Sequence, residues 1–62
     1  MPFMTTQELL SQRRFTLENI RNLQEVMPGL QPSIRERASS TIHNLHGLID
    51  RIDTELAMAG AS

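Results

Sequence analysis

The sequence predicts an all-α protein: an antiparallel helical hairpin that self-associates into a four-helix bundle or a larger helical oligomer. Three observations lead there. Two capping-box patterns, Thr5-Thr6-Gln7-Glu8 and Ser33-Ile34-Arg35-Glu36, each precede a long stretch with apolar residues at helical spacing. The connection between them, residues 27–32, is short and holds Pro28, Gly29 and Pro32. Finally, 62 residues are too few for a lone hairpin to shield all of its apolar surface.

The first helix is expected over about residues 6–26. Thr5 as N-cap and Glu8 three positions later would each satisfy a backbone N–H, with Met4 and Leu9 as the accompanying hydrophobic staple. Pro28 disfavours helical geometry at the residue before it, and Gly29 supplies a turn. The turn is expected over 27–33. Ser33 as N-cap then opens a second helix over about 34–59, with Gly60 at the left-handed position that closes it. The whole chain, 1–62, reads as one helical-hairpin domain. The apolar Met1-Pro2-Phe3-Met4 is expected to fold back over the end of the bundle.

At 100° per residue, Ile34, Ala38, Thr41, Leu45, Leu48 and Ile52 form a 4-3-4-3-4 seam on the second helix. Ile42, Ile49 and Leu56 recur every seven residues and widen it. Three apolar positions per heptad suit a helix with more than one neighbour. On the first helix Leu9, Leu10, Leu17, Ile20, Leu23 and Met27 share a face that also includes Arg13 and Gln24. A chain this small rarely gains more than about 3–5 kcal/mol from one core. A homodimer is therefore expected, with Leu17, Ile20, Ile42, Leu45, Ile49, Ile52 and Leu56 in its core.

Composition narrows the function. No cysteine means no disulfide framework and no thiolate metal site. There is no apolar run of membrane-spanning length and no basic-then-apolar leader pattern, so no membrane partner is expected and a cytoplasmic home fits. The net charge is −1, and the seven acids are spread along both helices, which argues against long nucleic acid. No Gly-rich phosphate loop and no nucleophile–base–orienter set are visible, so no enzyme is expected.

Four features remain. His43, His46 and Asp50 project from one flank, where imidazoles and a carboxylate suit zinc or nickel. A solvated flank with a His46–Asp50 pair is the simpler reading, and no metal or cofactor is expected. All six basic residues are arginines, whose planar fork suits carboxylates and phosphates. In a hairpin whose facing positions sum to about 60, Arg13 and Arg14 lie level with His46 and Gly47. Arg13, inside the apolar arc, is expected to bond Asp50, Asp53 or Glu55. Otherwise Arg13, Arg14, Arg21 and His46 would line an anion slot at the oligomer interface.

The third feature is a stripe of small residues, Ser33, Ser40, Gly47 and Thr54 at seven-residue intervals with Ala61 continuing it, on the back of the second helix. Such a stripe lets a helix or ligand approach closely, although a polar surface of small residues looks the same. The fourth is Phe15 with Val26 on the outer face of the first helix, two ends of a contact surface. Phe15, Val26, Ser40, Gly47 and Thr54 are the candidate partner surface. Two functions follow. One is a homo-oligomeric adaptor or regulator that binds a protein. The alternative is a binder or sequesterer of a compact phosphorylated ligand, a nucleotide signal or structured RNA, through the interface arginines.

Overall fold

The computed structural model describes residues 4–61 and consists of helix α1, Thr6–Val26, a 3-10 turn, Met27–Gly29, and helix α2, Pro32–Ala61. The two helices pack against each other as a hairpin. Of the apolar segment 1–4, only Met4 falls within the described residues, and it is exposed.

The first capping expectation is met in part and the second is not. The Thr5 hydroxyl oxygen accepts from the Glu8 backbone N–H at 3.1 Å, and the Leu9 N–H bonds the Thr5 carbonyl at 2.9 Å. The Glu8 carboxylate, however, accepts from the Thr5 hydroxyl at 3.2 Å rather than from a backbone N–H. At α2 the start moves forward to Pro32, whose missing N–H costs nothing in a first turn. The Arg35 N–H then bonds the Gln31 carbonyl at 2.8 Å, which leaves Ser33 inside the helix rather than capping it.

Met27 also departs from expectation. It is helical, φ −54 and ψ −43, although Pro28 follows, and its N–H reaches the Leu23 carbonyl. Proline makes that conformation unfavourable, not forbidden, and the 3-10 turn carries the chain on to extended Leu30. The Arg35 guanidinium donates to the Leu30 carbonyl at 3.0 Å and ties the connection to the first turn of α2. At the other end α2 runs through Gly60 to Ala61, and no described glycine has positive φ. Gly60 is thus a helical residue, not a left-handed terminator.

The packing follows one line per helix. Leu9, Arg13, Thr16, Ile20 and Leu23 on α1 with Met27 directly after it, and Ala38, Ile42, Leu45, Ile49, Ile52 and Leu56 on α2, are all buried or half-buried. Each line has 4-3-4-3-4 spacing, the signature of a coiled-coil seam. The α1 face is therefore rotated from the expected one: Leu10 and Leu17 are 50% and 40% exposed, and Thr16 takes the place between Arg13 and Ile20. Thr16 tolerates burial because its hydroxyl donates to the Gln12 carbonyl at 2.7 Å. On α2 the line containing Ile42, Ile49 and Leu56 faces α1, whereas Ile34 and Thr41 are exposed. That line places three branched side chains where the other offers Ile34, Thr41 and Leu48, so it removes more apolar surface from water.

The result is long and open. The hairpin measures 46 × 20 × 15 Å with a radius of gyration of 14.3 Å, against about 11 Å for a compact chain of this length. Its accessible surface is 5133 Å², about 1,100 Å² more than mass scaling gives for a folded monomer of this size.

Two substitutions test the seam. Ile52→Ala is expected to cost about 2–4 kcal/mol and to remove most of the helical circular dichroism signal at room temperature. Thr16→Val, which gives up only a bond to its own helix, is expected to be neutral or stabilising by about 1 kcal/mol. A clear loss of stability on Thr16→Val in a thermal melt would contradict its place in the seam.

Candidate functional site

The one bond that joins side chains of the two helices among the described residues is an ion pair. The Arg13 Nε donates to Asp53 Oδ1 at 2.8 Å, with both side chains partly exposed. Arg13 starts within the seam, and its aliphatic stem covers apolar surface while the guanidinium reaches the edge. At this exposure the pair contributes about 0–1 kcal/mol, so it matters more for register than for stability. Asp53 is one of the three carboxylates expected for Arg13. It lies seven positions, about two turns, beyond His46 along α2.

The expected anion slot belongs to the oligomer interface, and within the single hairpin Arg13 is already paired with Asp53. Arg14 and Arg21 line a shallow hollow on α1 with Leu17 and Glu18. Its volume, about 240 Å³, falls below the usual ligand-pocket range of roughly 300–1,000 Å³, and the Glu18 carboxylate offsets part of its positive charge. Arg35 is engaged in the connection.

His43, His46 and Asp50 are all exposed, and among the described residues no group of three His, Asp or Glu side chains is placed to hold a metal ion. Nor is any described hydroxyl paired with a histidine. Those of Thr16, Thr41 and Thr54 donate to the carbonyls of Gln12, Arg37 and Asp50, four residues back, and that of Thr5 to Glu8. No activated nucleophile is assembled by these contacts. No described helix is long and apolar enough to cross a membrane.

The candidate partner surface is open. Phe15 is 68% exposed and Val26 52%. Ser40, Gly47 and Thr54 are exposed along the back of α2. A Cβ added at Gly47 would meet no atom within 4 Å, so nothing within the hairpin requires glycine there. Sequence reasoning missed Thr16 as a seam residue, Arg35 as the clamp on the connection, and Leu10 with Leu17 as exposed. The signal for the first and last was present: the 4-3-4-3-4 run through Arg13 and Thr16 is more regular than the apolar face chosen over it.

Compared with protein-family models, curated proteins and solved structures, the chain shows no match.

Gly47→Ala is expected to stabilise the hairpin by about 1 kcal/mol, the difference in helix propensity. In a thermal melt that is a rise of roughly 4–8 °C for a domain of this size. An unchanged or lower midpoint would mean that Gly47 is covered by a close neighbour.

Proposed function

We propose that this chain is a non-enzymatic, homo-oligomeric helical hairpin that acts by binding a protein partner, as small adaptors and regulators do. The observation that carries the reading is the separation of the exposed large apolar residues of α1 into two sets. Leu10 and Leu17 flank the seam on α1, where a second hairpin would complete a bundle. Phe15 and Val26 lie on the opposite flank of α1 at helical spacing, where a second hairpin docked over Leu10 and Leu17 leaves them exposed. Phe15 is the most exposed large apolar residue of α1, and aromatic side chains are favoured anchors at interfaces.

The surface area supports self-association independently. Two separate hairpins expose about 10,300 Å², and a compact protein of twice the mass exposes about 6,700 Å². Closing that gap buries roughly 3,500 Å², within the range of obligate homodimers. The arrangement does not favour the phosphorylated-ligand alternative, since Arg13 is paired with Asp53 and Arg14 and Arg21 share their hollow with Glu18.

Native mass spectrometry of gently purified protein tests the oligomer and the ligand together. The expected spectrum shows a bare dimer or larger assembly. A monomer contradicts the reading, and an oligomer carrying extra mass of nucleotide size favours the ligand alternative. Phe15→Ser is expected to keep the wild-type oligomer and to lose the co-purifying partner in pull-downs. Unchanged capture would remove Phe15 from the partner surface.

A further inference from the structure

The two edges on one side of the hairpin carry opposite charge. Arg13 reaches Asp53 across that side, so the α1 edge beyond Arg13 and the α2 edge beyond Asp53 share a face. On α1 this edge reads Leu10, Arg14, Leu17 and Arg21 at 4-3-4 spacing, and all four are exposed. On α2 it reads His46, Asp50, Asp53 and Ala57 at 4-3-4 spacing, again exposed. Among the described residues Arg14, Arg21 and the Asp50 carboxylate make no ion pair; Asp50 only accepts at its backbone, from Thr54. The face is thus half basic and apolar, half acidic and lined by smaller side chains.

Resting on the self-association proposed above, we infer that a second copy of this chain docks on this face, with α1 against the partner's α2 and Arg14 paired with the partner's Asp50. The two-fold axis runs parallel to the helices. Rotation about such an axis keeps every residue at its own axial level, and the Arg13–Asp53 bond sets those levels. Leu10, three residues before Arg13, then lies level with the partner's Leu56 and Ala57. Leu17, four residues after it, lies level with the partner's Ile49. Arg14 lies within one turn of the partner's Asp50 and Asp53. All neighbouring helices in the resulting bundle are antiparallel.

Charge excludes the other symmetric arrangement on the same face. An axis across the helices would set α1 against α1 and bring Arg14 and Arg21 of one copy onto those of the other, a like-charge contact. With the axis along the helices, every basic edge meets an acidic one. The exposed Leu10 and Leu17 fall over Ala57 and the margin of the seam, where there is room for them.

A charge-swap mixing experiment tests this arrangement. Arg14→Asp and Asp50→Arg are each expected to weaken the homodimer about tenfold or more, because each places two like-charge contacts in one symmetric interface. Mixed in equal amounts, the two variants are expected to form a heterodimer as tight as wild type, since opposite charges then meet at both contacts. Native mass spectrometry resolves the heterodimer from both homodimers. A variant that merely fails to fold is not rescued by its counterpart, so rescue separates pairing from folding. Absence of a preferred heterodimer overturns the proposed face, as does wild-type dimerisation by Arg14→Asp; in either case a dimeric wild type leaves self-association standing. A wild-type chain that stays monomeric at millimolar concentration overturns both the face and the self-association on which it rests.

Discussion

A two-helix seam shelters only one line of side chains from each helix, and the rest of this structure depends on that geometric limit. Water is excluded where the lines meet, through Leu9, Thr16 and Ile20 on one side and Ala38, Ile49 and Ile52 on the other. Described apolar residues off those two lines are left at an edge or outside. Leu10, Leu17 and Ile34 are therefore surface residues of the hairpin although their spacing is that of core residues. A third and fourth helix would convert those edges into a core. Without them the chain keeps a large accessible surface for its mass, a costly arrangement for so short a polypeptide.

Within that limit, polar residues in and beside the seam are handled by local bonds. Thr16 satisfies its hydroxyl with its own helix, and Arg13 extends to Asp53 at the margin. Neither bond adds much stability. Their effect is selective: an arginine in the seam must find its carboxylate, and only one axial relation between the helices puts Asp53 within reach. The Arg35–Leu30 bond acts similarly at the connection, where the chain leaves a 3-10 turn and enters α2 at Pro32.

Much of this architecture was legible in the sequence, because its strongest determinants are local. The Thr5 cap, the proline and glycine between the helices and the long uninterrupted stretches each carry their own signal. What was less legible is rotational. Leucine at positions 10 and 17 outweighs threonine and arginine at 16 and 13 in any count of apolar residues, yet the seam follows the regular spacing and takes the polar pair. On α2 two interleaved 4-3-4 lines differ by one residue in register, and the choice between them depends on α1, which no local pattern reports. The site was less legible for the same reason: choosing Asp53 among the three carboxylates expected for Arg13 requires the exact axial relation of the two helices. Ser33 and Gly60 show how an end is misjudged, since each has the residue type of a terminator and each sits within the helix.

We propose that the hairpin folds as part of an assembly of its own copies. The most direct measurement is the thermal midpoint of wild-type protein by circular dichroism across a hundredfold range of concentration. If folding and association are coupled, the midpoint rises steadily with concentration by mass action. A midpoint that is the same at every concentration, with full helicity at the lowest, would show a self-sufficient hairpin and contradict the account.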